Sequence, residues 1–348
     1  MYPSPALLTA LALALPLAGG VAVFGWRAAG VVATVAAAAA VTSLLWRPVG
    51  ARGLGMRLGR TFVGGMTLGL LLPAHLFDPQ AVTATTDALP LLLLAGVLLV
   101  SVRWLLGASG PIHPAAVCYL LLALLYADAL QPRRVLPPAE AGRGDLLAPA
   151  EPAPAILVTP WYALDRTLTA PRLQEPVAER LTAYATDRPP AGIHSVEAML
   201  RDGLPPIEDL LVGGSPMPIG SASAVLVIVG GLFVIYRGLL DFRVPLLVVA
   251  SAYAAFLLLP VPVAAGLPGT AWTPVIRHVG VNPSVAVTWA NYLTLASPLV
   301  FAAFFLAPTS ARAPTAPRRA AWALLTGVAC AAGQLYVAGI AGPMLGVA

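Results

Sequence analysis

Hydrophobic residues run through this 348-residue chain in long blocks, without the regular polar positions of an amphipathic soluble helix. A helical block of about 20 apolar residues is long enough to cross the hydrocarbon core of a bilayer. The blocks therefore predict nine transmembrane helices and an all-α polytopic membrane protein. They lie at residues 5–26, 30–46, 61–77, 88–106, 114–130, 222–237, 244–264, 285–307 and 320–341.

One long polar segment divides these blocks into two groups. Residues 131–221 contain 15 of the 35 prolines and 11 of the 15 acidic residues. Charges are costly inside a bilayer, so this segment is predicted to lie outside it. The pattern predicts an N-terminal membrane half at 1–130 with five helices, and a C-terminal half at 222–348 with about four. A Pro-rich loop at 131–221 joins them.

Composition supports a lipid environment and excludes a nucleic-acid partner. The chain is 59% hydrophobic and 10% charged, whereas a soluble domain has about 25% charged residues. Its 20 basic residues are all arginines, and they are dispersed without the basic patch that nucleic-acid binding requires. Cys118 and Cys330 lie within apolar blocks and are predicted to be small buried side chains. No Cys/His cluster predicts a metal site.

The arginines also predict an orientation. Arg47, Arg52, Arg57 and Arg60 lie between the second and third blocks without an acidic residue, and such loops favour the cytoplasmic side. Alternate counting assigns Arg27 to a short outer loop and puts the long loop outside, with the N-terminus in the cytoplasm. It also assigns a further set of arginines to the inner side: Arg103, Arg237, Arg243, Arg312, Arg318 and Arg319. The first block lacks the basic start of a cleaved signal peptide and is predicted to be retained.

Three Gly/Pro-rich interruptions stand out next to the blocks. They are Gly107–Pro114, Gly213–Gly220 and Gly280–Pro283. In a bilayer, such segments leave backbone groups that only a cavity, a ligand or a neighbouring helix can satisfy. They are therefore the first places to look for a binding site.

A set of short motifs, taken in order along the chain, resembles the RnfD/NqrB family. That family comprises the flavin-carrying membrane subunits of Rnf and Na+-translocating NADH:quinone oxidoreductase complexes. The motifs are FGWRA at Phe24–Ala28, GGMTLGLLLP at Gly64–Pro73, GPIHPAAV at Gly110–Val117, AGIHSVEAML, DLLVGGSPMPIGSASA at Asp209–Ala224, FAAFFLAP at Phe301–Pro308, and APTAPRR. The resemblance extends from one end of the chain to the other.

The resemblance implies two five-helix halves like those of urea transporters, in a bacterial cytoplasmic (inner) membrane. It also implies an FMN joined through its phosphate to a threonine on the outer side, with Thr186 as the aligned candidate. Electrons would pass towards a second flavin or a quinone within a multi-subunit complex that also transports ions. The chain would then be a subunit of an electron-transfer translocase rather than an enzyme alone. The residues implied to line the flavin are His113, Asp209, Gly213, Gly220, Ser221 and Ser223.

Several positions depart from the family pattern. Ala183 and Arg180 replace the Ser/Thr and the acid that usually precede the acceptor threonine. Ser221 replaces a usual Glu, and Thr309 replaces a usual Asp. The last helix is also expected to be shorter than in the family, which would leave nine spans where the family has ten. These losses favour an alternative function, a structural or docking subunit of a respiratory or photosynthetic complex that has lost the flavin. A solute channel is a third interpretation, although few polar residues are available to line its path.

Individual residues leave alternatives open. His113 could contact a flavin or quinone or relay protons, or it could bond only to the broken backbone beside it. Asp209 could order the flavin-side loop or cap a helix. Asp128 is predicted to be a surface acid, and Asp241 to pair with its loop neighbours Arg237 and Arg243. Five tryptophans near span ends are predicted to be interfacial anchors, namely Trp26, Trp46, Trp104, Trp272 and Trp289.

Overall fold

A computed structural model describes most of the membrane part of the chain. It covers residues 4–46, 54–77, 88–106, 112–127, 129–130, 211, 217–264, 270–277, 283–295, 297–310, 315–337 and 342–348.

The first part of the described chain is helical, and its helices follow the predicted blocks. They are α1 (Pro5–Phe24), α2 (Trp26–Leu45), α3 (Leu54–Leu71), α4 (Ala88–Leu106) and α5 (Pro114–Leu125). Proline begins α1 and α5 because a first-turn residue needs no N–H donor. Ser4 Oγ caps α1 by accepting from the N–H of Leu7. A 3-10 turn at Ala74–Leu76 follows α3.

The junction between α1 and α2 differs from the predicted loop. Gly25 alone separates the two helices, with a φ of 73° that residues with a side chain rarely adopt. Arg27, predicted to lie in an outer loop, is instead in the first turn of α2 and is only 7% exposed. The loop prediction at 27–29 was therefore wrong, because a single glycine is sufficient to turn the chain.

The described chain after the long loop contains seven α-helices. They are α6 (Ala224–Tyr236), α7 (Arg243–Leu258), α8 (Pro283–Leu295), α9 (Leu299–Phe301), α10 (Ala307–Ser310), α11 (Ala316–Tyr336) and α12 (Gly342–Val347). A π-helical stretch at Ala302–Leu306 connects α9 and α10. A 3-10 turn at Ile219–Ser221, called the central turn below, precedes α6.

The described chain is mainly helical, as predicted, and one antiparallel β-hairpin is the addition to it. Strands β1 (Pro260–Ala264) and β2 (Thr270–Pro274) pair with Val261 opposite Thr273. The predicted span at 244–264 therefore ends early, with α7 stopping at Leu258. Prolines at 260 and 262 lack the N–H that a continuing helix needs, whereas an edge strand tolerates them.

The predicted span at 285–307 is also broken. The helix axis turns by 65° between Ser284–Leu295 and Leu299–Leu306, next to Pro298, which cannot donate to a helical hydrogen bond. Near the break, the carbonyl of Leu293 accepts from Ser297 Oγ and from Gln334 Nε2 of α11, each at 3.0 Å. These side chains stabilise a break that apolar composition alone does not reveal.

Helix lengths support a membrane protein without establishing nine spans. In the described part of the chain, three helices are long and apolar enough to cross a bilayer, namely Pro5–Phe24, Trp26–Leu45 and Leu89–Leu106. The bent pair would make a fourth. Three apolar helices are shorter than a full span: Pro114–Leu125, Ala224–Tyr236 and Arg243–Leu258.

The helices pack around one large core of apolar side chains, and a second, small cluster lies between α7, α11 and the π-helical stretch. α2 packs against α3 and α4, α7 packs most extensively against α11, and α1 meets α6. Gly19 lies beside Leu226 while Gly230 lies beside the carbonyl of Ala12, so α1 and α6 are antiparallel. Cys118 and Cys330 are buried and unpaired by disulfides, as predicted. The division at 130 and 221 into halves and a loop stays a prediction.

Arginines gather at one end of the bundle. Arg103 Nη1 donates to the carbonyl of Arg60 at 3.1 Å, which joins the end of α4 to the start of α3. Gly59 lies beside Ala6 at the start of α1, and the antiparallel α6 brings Arg237 to this same end. We call it the arginine end, and its described members are Arg60, Arg103, Arg237, Arg243, Arg318 and Arg319. Its cytoplasmic orientation is a prediction of the positive-inside rule.

Four of the five predicted tryptophan anchors are exposed near helix ends. Trp46 and Trp104 have ring centroids 6.1 Å apart at the arginine end, and Trp26 and Trp272 are exposed at the opposite end. Trp289 is the exception, since it is fully buried and its Nε1 donates to the carbonyl of Phe256 at 3.3 Å. Its position along the sequence could not reveal that α7 covers it.

Asp241 pairs with a different arginine from the two predicted. Its Oδ2 lies 3.7 Å from Arg319 Nη1 of α11, and its Oδ1 accepts from the N–H of Arg243. We expect Asp241→Asn to lower the free energy of unfolding by only about 0–1 kcal/mol, because both side chains are about one-third exposed. Arg318→Gln, beside the pair, is the matched control. Thermal melts in detergent that show a larger loss for Asp241→Asn would indicate a buried network.

Candidate functional site

The central turn joins the two groups of helices by packing against α1 and the end of α3. The N–H of Ile219 donates to the carbonyl of Leu72 at 3.1 Å, just after the end of α3. That bond satisfies a carbonyl that the end of the helix leaves without a partner. The turn also lies against α1, where Gly20 leaves room for the Ile219 side chain. The sequence from Met217 onward therefore enters the bundle instead of lying on its surface.

Gly220 is required by close packing. A Cβ there would be 2.9 Å from Leu70 Cβ and 3.0 Å from both the Leu70 carbonyl oxygen and Phe301 Cε2. Contacts below about 3.4 Å leave no space for a ligand on that side of the residue. Its predicted contact with a flavin stays a prediction, and the structure shows a packing reason for a glycine at this position.

Ser221 and Ser223 are both buried but differ in their hydrogen bonds. Ser223 Oγ donates to the carbonyl of Leu211 at 3.0 Å and so attaches the preceding segment to α6. Ser221 is 6% exposed, and its Oγ has no hydrogen-bond partner in the structure. A buried hydroxyl without a partner costs about 1–3 kcal/mol. Ser221 is therefore the residue of the central turn best placed to accept or donate a bond to a ligand.

The two serines make a matched pair of substitutions. We expect Ser223→Ala to lower the free energy of unfolding by about 1 kcal/mol, because it deletes a buried hydrogen bond. Ser221→Ala should leave the stability of ligand-free protein unchanged or slightly higher, since it removes an unsatisfied polar atom. Thermal melts of purified protein that carries no ligand measure both. A larger loss of stability for Ser221→Ala than for Ser223→Ala would contradict this assignment of hydrogen-bond partners.

His113 lies far from the central turn. Its Nδ1 accepts from the N–H of Ala115 at 3.2 Å and caps the start of α5. The 12 residues of α5 then extend for about 18 Å, and its far end leads to Ala129, whose carbonyl accepts from His75 Nε2 at 3.0 Å. His75 follows the end of α3, where the central turn also docks. The structure therefore does not bring His113 and Ser221 into one pocket.

Three predicted site residues fall outside the described part of the chain. These are Thr186, Asp209 and Gly213, and Asp128 lies outside it as well. The side chain of Thr309, where the family pattern has Asp, is likewise not described.

Two buried polar residues near the central turn's end of the bundle were not predicted as site residues. His75 is 8% exposed and Arg27 is 7% exposed. The ring of Phe77 packs over Gly30, which places the turn containing His75 beside the start of α2 and hence near Arg27. A histidine directly after a Pro-terminated helix was the available sequence signal. No group of three or more His, Cys, Asp or Glu able to hold a metal ion occurs among the described residues.

Comparison with known proteins agrees with the motif order along the chain. A search of curated proteins finds no match. A family model described as the NQR2, RnfD, RnfE family matches residues 6–347. That range covers all of the described helices, apart from Pro5 at the start of α1. The chain therefore belongs to the NQR2, RnfD, RnfE family, as a membrane subunit of an Rnf/Nqr-type complex.

Proposed function

We propose that this chain is the flavin-carrying subunit of a membrane redox complex, with FMN tethered through its phosphate to Thr186. Electrons would pass from that flavin to a second flavin or a quinone, and the assembled complex would couple the transfer to ion transport. The observation on which this proposal rests is the family match over residues 6–347. The flavin supplies the redox chemistry, while the protein fixes its position and tunes its potential.

The distribution of buried polar groups supports a ligand at the end opposite the arginines. Arg27, His75, Ser221 and Ser223 are all less than 9% exposed there, and Arg27 and His75 are the two buried residues of the described chain with a basic side chain. The 131–216 segment, which contains Thr186, joins described residues at Leu130 and at Met217. Both residues lie at this end of the bundle. Leu130 follows Ala129, which is bonded to His75, and Met217 leads into the central turn, which is bonded to Leu72. A cation and a hydroxyl suit the phosphate and carbonyl oxygens of a flavin.

The same arrangement supports the proposed orientation. With the arginine end in the cytoplasm of a bacterium, the buried polar groups and the Thr186 segment both belong to the outer side. Single-cysteine labelling with a membrane-impermeant maleimide tests this in whole cells. We expect labelling at Arg277→Cys and none at Tyr236→Cys without permeabilisation, and the opposite result would invert the topology.

The proposal is tested by the flavin content of the purified complex. Wild-type chain should give a fluorescent band on a denaturing gel, because a phosphoester survives unfolding. Flavin absorbance in the supernatant after acid precipitation of the protein measures any flavin that is bound without a covalent link. A complex purified with its partner subunits that contains no flavin in either fraction would contradict the proposal.

A docking subunit without flavin is the second candidate. It is favoured by Ala183 and Arg180 before Thr186, and by Ser221 and Thr309 where the family pattern has acids. It predicts that the complex assembles with this chain while electron transfer proceeds through other subunits. An ordered flavin in a density map near the central turn would exclude it.

A further inference from the structure

The β-hairpin is fixed to the ends of two helices on the side opposite the arginines. β1 follows α7 after Leu259, and Tyr336 in the last turn of α11 donates through its hydroxyl to the carbonyl of Pro260 at 2.6 Å. The ring of Trp272 in β2 lies 6.3 Å from the ring of Tyr336. The hairpin therefore has a defined height relative to α7 and α11.

The hairpin is followed directly by a 3-10 turn at Val275–Arg277. Val261 in β1 and Val275 in this turn are fully buried, whereas Trp272 in β2 is 57% exposed and Ile276 in the turn is 56% exposed. Leu258 and Val337, at the ends of α7 and α11, are also more than half exposed. These exposed side chains continue the apolar surface of α7 and α11 up to the hairpin, and Arg277 adds an exposed cation beside Ile276.

The backbone and the side chains of the hairpin require different surroundings. A two-stranded sheet has outer edges whose polar groups cannot be satisfied by lipid tails, so the strands do not belong in the hydrocarbon core. Exposed Trp and Ile gain by leaving water. Both needs are met at the headgroup level, where water and phosphate reach the backbone and Trp is commonly found. Prolines at 260, 262 and 274 reduce the number of edge donors.

We propose that Trp272, Ile276 and Arg277 form a lipid-binding surface that lies in the headgroup layer and binds anionic phospholipid. Trp272 and Ile276 insert towards the upper acyl chains, and Arg277 pairs with a lipid phosphate. The aromatic pair of Trp272 and Tyr336 then sets the depth of α7 and α11 in the bilayer. This surface does not depend on the proposed flavin function.

Spin-label depth measurements test the position of the hairpin. A nitroxide on Ile276→Cys, in full-length chain reconstituted into phosphatidylethanolamine/phosphatidylglycerol vesicles, should be accessible to both oxygen and a water-soluble nickel chelate. The matched label on Leu325→Cys, an exposed position within α11, should be accessible to oxygen alone. Wild-type protein is the blank because both native cysteines are buried. An Ile276→Cys label with the oxygen and nickel accessibility of free label in water would overturn the proposal.

The lipid preference is tested by retention of phosphatidylglycerol in native mass spectra. Arg277→Gln should weaken retention about fivefold, the effect of one cation near an anionic surface, while Arg277→Lys should retain wild-type binding. Equal retention of phosphatidylglycerol by wild-type protein, Arg277→Gln and Arg277→Lys would contradict the proposed binding of anionic lipid. A label at Ile276→Cys shielded from both probes in native membranes would show that a protein partner covers this surface, and would overturn it.

Discussion

Thr186→Ala is expected to abolish the covalent flavin signal of the chain completely. A phosphoester requires the threonine hydroxyl, and alanine has no oxygen to form it. The chain should still accumulate in the membrane, because Thr186 lies in the polar 131–221 segment and not in an apolar span. In-gel fluorescence normalised to protein stain measures the loss, and it should reach background.

Thr182→Ala is the matched control for this substitution. Thr182 lies four residues earlier in the same LTAYATD run, so it experiences the same expression and the same local chain. It should retain the full signal. Loss of fluorescence in Thr182→Ala with retention in Thr186→Ala would move the tether to Thr182. If both variants keep the full wild-type fluorescence, neither residue carries the tether. If both lose it, the substitutions have damaged the acceptor segment as a whole.

Gly327→Leu is expected to prevent folding of the membrane part. Gly327 of α11 faces α7 so closely that even a Cβ would overlap Ser251 Oγ and the carbonyl oxygen of Val248. The carbonyl belongs to the backbone of α7, so relief requires the two helices to separate along their most extensive interface. We expect Gly327→Ala to cost about 3 kcal/mol, at the upper end of overpacking effects, and Gly327→Leu to give no monodisperse protein.

Gly55→Ala is the matched control for helix glycines. A Cβ at Gly55 in α3 would meet nothing within 4 Å, so the substitution should be neutral or gain up to about 1 kcal/mol of helix propensity. Size-exclusion profiles and thermal melts in detergent report both variants. A melting temperature for Gly327→Ala within a degree of wild type would show that α7 and α11 can separate without cost.

Most of the helices could be predicted from the sequence because the bilayer constrains each segment separately. Every backbone group inside the hydrocarbon must be satisfied, so a long apolar block such as 5–26 or 88–106 is constrained to be helical wherever its neighbours lie. The predicted burial of Cys118 and Cys330 rested instead on the usual burial of free cysteine. Family membership was also accessible, because seven motifs in order survive even where individual positions have changed.

The breaks in the predicted spans depended on tertiary contacts. Pro298 can kink a membrane helix only slightly or break it, depending on whether neighbours satisfy the freed carbonyls. Leu293 lies in the last turn before the break, and its carbonyl accepts from Ser297 and from Gln334. Gln334 is 41 residues away in sequence. The hairpin is similar, since Pro260 gains a partner from Tyr336 76 residues later.

The candidate site shows the same division between local and long-range information. The sequence alone determined that this protein is a membrane protein, which segments are apolar, and that Gly220 ends a Gly/Pro-rich interruption that Ser221 and Ser223 follow directly. Only the tertiary structure decided that Gly220 is packed against Leu70 and Phe301, and that Ser221 has a buried hydroxyl without a partner. It also separated His113 from the central turn. Hydrophobicity acts on each segment by itself, whereas packing and hydrogen bonding depend on which distant segments come together.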